Sequence, residues 1–165
     1  MSGPLQIRRA APGDVGTIVE LIKQLAEYER LADQVHGDER LLAEGLFGAD
    51  ANAEALLAEL DGEPVGFALF FHTFSTFECR RGIWLEDLFV VPEQRRAGVG
   101  GALLSRLAEL AVQRECARLE WAALDWNEPA LRFYDRLGAR RLDAWKLLRL
   151  DGQALVKVAA RDLAR

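Results

Sequence analysis

A glycine-rich loop with two arginines at its mouth separates an apolar run from an amphipathic helix. It reads Arg95-Arg96-Ala97-Gly98-Val99-Gly100-Gly101, and Pro92 ends the apolar run because proline cannot donate to a sheet ladder. Glycine lets backbone N–H groups approach a ligand, and a helix N-terminus favours negative charge. The pattern predicts a site for phosphate or pyrophosphate. It lacks the Gly-Lys-Ser/Thr ending of nucleoside-triphosphate loops and the dinucleotide glycine spacing, so a glycine-rich helix start without a ligand is an equally good interpretation.

Two adjacent carboxylates, Glu86 and Asp87, lie on the predicted strand that precedes this loop. On a regular strand they point to opposite faces, which places Asp87 with Ile83, Leu85, Phe89 and Val91. Either way one carboxylate lies among apolar side chains, and burying it without a partner is costly. Two interpretations remain open: a structural ion pair, or a carboxylate that receives a cationic amine or its proton.

A tyrosine stands on the second turn of a well-capped predicted helix. Asn127 is a good N-cap, Pro129 falls in the first turn, and Tyr134 follows. An aromatic residue in that place usually belongs to a core. Alternatively, a phenol with a pKa of about 10 can protonate a leaving thiolate whose pKa is about 8.5.

The remaining elements that must position these groups follow from periodicity and capping signals. Predicted strands lie at 5–9, 53–60, 65–74, 83–91 and 119–124, predicted helices at 14–33, 38–48, 98–114 and 127–138, and a closing hairpin at 145–150 and 154–159. The order is β-α-α-β-β-β-α-β-α-β-β. It indicates one α/β domain over residues 1–165, with a mixed sheet covered by helices.

Charge and composition exclude several classes of function. The net charge is −5, with 17 acidic and 7 basic residues in 1–94 but 9 acidic and 14 basic in 95–165. An acidic whole argues against nucleic acid as a partner. No apolar run approaches the roughly 20 residues of a membrane span, and no signal peptide is visible, so a cytoplasmic protein without a membrane partner is expected. Two histidines and two cysteines offer no convincing metal site.

Three motifs together resemble the GNAT acetyltransferases. They are Leu85-Glu86-Asp87-Leu88-Phe89-Val90, Arg95-x-x-Gly98-x-Gly100 and Trp126-Asn127-Glu128-Pro129-x-x-x-Phe133-Tyr134. With the helix segment Leu21-Ile22-Lys23-x-Leu25-Ala26-x-Tyr28-Glu29, the chain is similar to the diamine (spermidine/spermine) N-acetyltransferase branch from about Ile7 to Val158. The resemblance implies a mixed, mostly antiparallel sheet flanked by helices and splayed between the strands at 83–91 and 119–124.

The resemblance also implies an acetyl-CoA-dependent N-acetyltransferase that acts on a small primary amine by direct transfer, and it implies a homodimer. Tyr134 matches the acid that protonates the thiolate, and Glu86 matches the carboxylate that takes the amine's proton, through water. Coenzyme contacts are implied at Leu88, Phe89, Val90, Arg95, Arg96, Ala97, Gly98, Val99, Gly100, Gly101, Asn127, Glu128, Pro129, Ala130 and Arg136. The implied amine pocket comprises Tyr28, Glu29, Glu86, Glu120, Trp121 and Ala122.

Departures from that branch leave the substrate open among polyamines, diamines and lysine-like amino acids. Arg96 stands where relatives carry glycine, and Thr76 stands where polyamine acetylases carry an aspartate for the distal amine. Alternatives are a protein N-terminal or lysine acetyltransferase, and a non-catalytic acyl-CoA-binding regulatory module. The presence of both Glu86 and Tyr134 disfavours the regulatory module.

Overall fold

The computed structural model describes residues 4–161 and divides the chain into two compact units, Met1–Ala122 and Ala123–Arg165. The first unit contains β1 (Leu5–Arg9), α1 (Val15–Tyr28), α2 (Glu39–Phe47), β2 (Glu54–Leu60), β3 (Glu63–Ser75), β4 (Arg80–Val90), α3 (Val99–Gln113) and β5 (Leu119–Trp121). The second contains α4 (Glu128–Arg136) and α5 (Gly152–Ala159). Within the described range, none of these helices is long and apolar enough to cross a membrane.

The five strands form one sheet in the order β1-β2-β3-β4-β5. Strands β1 to β4 pair antiparallel with their neighbours, whereas β5 is parallel to β4. A parallel pair needs a crossover connection, and α3 supplies it. The mixed, mostly antiparallel sheet flanked by helices is therefore confirmed.

Helices cover both faces of this sheet. On one face, buried residues of α1 and α2 form a core with alternating strand residues: Ile18, Leu21, Leu25, Leu46, Ala55, Leu57, Phe67, Leu69 and Phe89. The strand residues between them, including Leu56, Ala68 and Phe70, are buried on the opposite face. There α3 packs with Val99, Leu103, Leu104 and Leu107. We call the two sides the α1 face and the α3 face.

Strand β4 is paired along only part of its β5 side. The β4–β5 register runs from Ile83 with Leu119 to Leu85 with Trp121, and β5 ends there, three residues before the predicted end at 124. Beyond Leu85, β4 continues to Val90 while keeping its pairing with β3. The sheet is thus open between β4 and β5, as predicted.

The prediction of a closing hairpin at 145–150 and 154–159 is wrong. Residues 144–150 form neither helix nor strand, and 152–159 form α5, with Gly152 at φ 43° at its start. A two-stranded hairpin is marginal in water without a third strand or a helix to pack against. The second half of the predicted hairpin contains Ala154, Leu155 and Lys157, which are good helix formers.

Candidate active site

A β-bulge in β4 determines where the two adjacent carboxylates point. Leu85 lies opposite Phe70 and Asp87 lies opposite Leu69, so consecutive residues of β3 face residues two apart on β4. Glu86 is the extra residue. Because Leu69 and Phe70 point to opposite faces, Leu85 and Asp87 must do so as well.

Both carboxylates consequently lie on the α1 face, and the prediction that they point apart is wrong. Asp87 shares this face with its partner Leu69 and with Phe89. Trp84, opposite Phe71, is on the same face, and its indole Nε1 donates to Glu86 Oε2 at 2.9 Å. The assignment of Ile83 and Leu85 to the face of Asp87 is also wrong, because the bulge puts them on the α3 face.

Burial separates the two carboxylates electrostatically. Glu86 is exposed, whereas Asp87 is largely buried. Desolvation raises the pKa of Asp87 from 3.8 to about 6, and the negative charges of Glu86 and Glu29 add to the rise. Burial also raises the pKa of Glu29, at the C-terminal end of α1. Three carboxylates and the half-buried Tyr28 therefore gather on one side of the sheet, where a cation would be stabilised.

Strand β5 contributes unequally to this cluster. Glu120 is in register with Trp84 and so lies on the α1 face, but the Arg118 Nε donates to it at 2.8 Å and neutralises it. Trp121 is in register with Leu85, which places it on the α3 face. Ala122 follows the strand and is exposed. Of the two predicted amine-pocket residues on β5, Glu120 shares a face with Glu86 and Trp121 does not.

The glycine loop leads into a helix start whose first amides lack an acceptor within the helix. Gly98 adopts φ 82° before α3, a conformation that is unstrained only without a Cβ. The first intrahelical bond runs from the amide of Ala102 to the carbonyl of Gly98, so the amides of Val99, Gly100 and Gly101 have no acceptor within the helix. This donor set, at the positive end of a 15-residue helix, fits a pyrophosphate.

The two arginines of the loop are placed differently. Arg96 adopts φ 73°, a left-handed conformation that glycine adopts without strain and other residues seldom adopt. The side chain of Arg95 turns back, and its Nε donates to the carbonyl of Val90 at 3.1 Å. Its Cζ lies 4.2 Å from the centroid of the Tyr28 ring and 5.7 Å from that of Phe89.

In the second unit, α4 begins as predicted. The side chain of Asn127 accepts a hydrogen bond from the amide of Ala130 at 3.4 Å, and Pro129 stands in the first turn. Tyr134 is half-buried and its ring centroid lies 5.2 Å from that of Phe133. Glu128 pairs with Arg132 at 3.4 Å, while Arg136 is exposed in the last turn.

Comparison with a family profile decides which superfamily this scaffold represents. The profile described as "Acetyltransferase (GNAT) family" matches residues 19–139, which run from α1 through α4. The chain is a GNAT acetyltransferase. GNAT acetyltransferases use acetyl-CoA as their co-substrate, and the amide array at the start of α3 is consistent with that use.

Individual relatives place this GNAT enzyme in the diamine acetyltransferase branch, as predicted. A Bos taurus thialysine N-epsilon-acetyltransferase is 39% identical over 95% of this chain and 98% of its own length. A Homo sapiens spermidine/spermine N(1)-acetyltransferase-like protein 1 is 29% identical over 93% of this chain, which corresponds to 24% of that longer protein. The chain is thus an N-acetyltransferase.

A solved structure shares the fold of this GNAT enzyme nearly end to end. It is the integron cassette protein VCH_CASS6 from the mobile metagenome of V. cholerae, with a TM-score of 0.79 and 26% identity. The match covers 95% of this chain and 98% of that one.

The importance of Asp87 in this GNAT enzyme was not predicted from the sequence. The motif drew attention to Glu86, but the neighbouring carboxylate is the one with a strongly raised pKa. The only signal in the sequence was the apolar run around Asp87. That signal correctly predicts one buried carboxylate. It does not predict the bulge, which gives both carboxylates the same face.

Proposed function

We propose that this enzyme transfers the acetyl group of acetyl-CoA directly to the side-chain amine of a small, lysine-like amino acid. The observation that carries the proposal is the cluster of Tyr28, Glu29, Glu86 and Asp87 on the α1 face, beside the unpaired edge of β4. The cluster is suited to a cation. The open edge ends at the loop whose amides suit a pyrophosphate, so amine and thioester would meet along β4.

The coenzyme would be held by main chain rather than by charge alone. The amides of Val99, Gly100 and Gly101 would bind the pyrophosphate, with Arg96 and Ala97 lining the loop. The unpaired side of β4 offers main-chain groups at Leu88 and Val90 to the pantetheine arm, because the amide of Val91 donates to Val65 on β3 and alternate residues face opposite sides. Its thioester supplies an acyl group that an uncharged amine can attack.

Carboxylates and a phenol of the chain itself would transfer the protons of the reaction. An amine with a pKa near 10.4 must lose a proton before it can attack at neutral pH. Exposed Glu86 would pass that proton to solvent through water, while Asp87 and Glu29 would hold the ammonium form of the substrate in place. Tyr134 would return a proton to the leaving thiolate.

Two observations support an amino acid as the substrate over a polyamine. Thr76, in the exposed turn between β3 and β4, stands where polyamine enzymes carry an aspartate for the distal ammonium. The 39%-identical relative is named for thialysine, a lysine analogue.

A thiol-release assay across an amine panel tests the proposal. With acetyl-CoA in excess, thialysine, lysine and ornithine should give kcat/KM values at least about tenfold above those for putrescine and spermidine. Preference for a peptide N-terminus or a lysine-containing peptide would indicate a protein acetyltransferase instead. Tight acetyl-CoA binding without turnover of any amine would indicate a regulatory module and contradict the proposal.

We also propose that the enzyme is a homodimer. In the described part of the second unit, residues 123–161, no side chain is buried, and large apolar residues are strongly exposed, among them Trp145 at 75% and Leu148 at 87%. An apolar surface of this kind usually marks an interaction site. Analytical ultracentrifugation should give twice the chain mass, and Leu148→Asp should shift the protein towards monomer. A monomeric wild-type protein would refute the proposal.

Cytoplasmic location, the single domain over residues 1–165 and the absence of nucleic-acid and membrane partners stay predictions from the sequence.

A further inference from the structure

We propose that Arg95 is a positioning residue of the amine pocket rather than a ligand of the coenzyme's pyrophosphate. The assignment rests on the proposed function for the identity of the amine pocket. It departs from the glycine-loop motif, which predicts a coenzyme contact for every residue from 95 to 101.

Three contacts fix the direction of the Arg95 side chain. Its Nε donates to the carbonyl of Val90, five residues earlier in the chain, and its guanidinium carbon lies over the rings of Tyr28 and Phe89. Val90 ends β4 and Tyr28 ends α1. The side chain therefore turns back along β4 to the end of α1, and it is not directed onward to α3.

The side of the sheet on which this contact lies also separates Arg95 from the pyrophosphate amides. Tyr28 and Phe89 belong to the core of the α1 face. The amides of Val99, Gly100 and Gly101 begin the helix that packs on the α3 face. A guanidinium that covers the Tyr28 ring is thus placed with the amine-binding groups.

The contact between Arg95 and Tyr28 can hold the two side chains in a fixed relative position. A guanidinium over a tyrosine ring is attracted by the ring quadrupole, and its planar fork is more rigid than a lysine chain. Within residues 4–161 no carboxylate forms an ion pair with Arg95, so the stack and the bond to Val90 are what hold it. By tying the end of α1 to the end of β4, Arg95 fixes Tyr28 and the adjacent Glu29 relative to Glu86 and Asp87.

The test compares two neighbouring arginines. We expect Arg95→Gln to raise the KM for the amine by about three- to thirtyfold, as expected for loss of a cation–π contact, while the Kd for coenzyme A stays within about twofold. Arg96→Gln removes the same charge one residue along, at a position that adopts the left-handed conformation. This variant should weaken the binding of coenzyme A and leave the KM for the amine nearly constant. Calorimetric titration with coenzyme A gives the Kd values, and initial rates give the KM values.

A double-variant cycle tests whether Arg95 acts through Tyr28. Tyr28→Leu should raise the amine KM, and adding Arg95→Gln should raise it little further, because both variants break the same contact. Arg95→Lys, which keeps a cation over the ring, should restore part of the loss. Additive effects of the two variants would overturn the proposal.

A rise of about tenfold or more in the Kd of Arg95→Gln for coenzyme A would overturn it as well. That measurement requires no turnover. If the wild-type enzyme acetylated no amine, the proposed function would fail separately, while the Kd would still decide whether Arg95 belongs to the pyrophosphate site.

Discussion

Replacing Tyr134 by phenylalanine is expected to lower kcat by about 10²-fold, the usual scale for loss of a general acid. The variant keeps the ring that lies 5.2 Å from Phe133, so α4 should remain folded. The Kd for acetyl-CoA should change by less than about twofold, because only the phenolic hydroxyl is lost. Steady-state rates and calorimetry check both quantities.

The pH profile provides a second readout for Tyr134. A general acid acts only while it holds its proton, so kcat of the wild-type enzyme should fall at alkaline pH. In Tyr134→Phe this alkaline fall should be absent. Tyr28→Phe removes the chain's other phenolic hydroxyl and should change the amine KM rather than kcat. Unchanged turnover in Tyr134→Phe would remove Tyr134 from the chemistry.

Replacing Asp87 by asparagine is expected to raise the stability of the protein and to lower its kcat/KM for the amine. The folded-state pKa of about 6 lies above the ordinary value of 3.8, so the folded protein holds this proton more tightly than the unfolded chain. Ionisation of Asp87 therefore costs stability as pH rises from about 4 to 6, and the full cost persists above pH 6. Two pKa units correspond to nearly 3 kcal/mol. Because burying an amide has a cost of its own, we expect Asp87→Asn to raise the free energy of unfolding at pH 8 by about 2 kcal/mol.

Most of the gain should disappear towards pH 4, where Asp87 is protonated in the folded protein and close to its midpoint of 3.8 in the unfolded chain. Urea unfolding at pH 4, 6 and 8 measures the free energy of unfolding, and Glu86→Gln is the matched control because Glu86 is exposed. The control should show a smaller pH-dependent gain, because the charge of Glu86 only adds to the rise in the Asp87 pKa that burial causes. In activity, kcat/KM for the amine should fall about tenfold or more in Asp87→Asn, because a charge facing the ammonium is lost. An equal stability difference at pH 4 and pH 8 would contradict the assignment.

Features fixed by neighbouring residues were predictable from the sequence. The side chains of Asp38 and Asn127 accept from amides three residues ahead and begin α2 and α4, as their residue types indicate. Gly98 takes the left-handed conformation at the start of α3. Asp14 also precedes its helix, but its carboxylate binds the Arg8 guanidinium at 2.7 Å and the Ala11 amide instead of an α1 amide.

Features that depend on a distant partner were not predictable in the same way. The two faces of β4 are set by its register with Leu69 and Phe70 on β3, which periodicity within β4 does not reveal. The hairpin expected near the C-terminus needed a sheet to join, and the residues form α5 instead. The same distinction applies to the site: glycine-loop geometry is local, whereas the grouping of Glu29 with Asp87 depends on how α1 packs on the sheet.

The bulge at Glu86 has an evolutionary consequence. On a regular strand no substitution can give two consecutive side chains the same face, since alternation is built into the backbone. Two adjacent carboxylates on the α1 face therefore require a residue to be inserted into β4, not merely exchanged. Deleting one residue from Glu86-Asp87 would restore an unbroken ladder with β3 and leave a single acid. The number of acids at this position would then change by gain or loss of a codon, in one step.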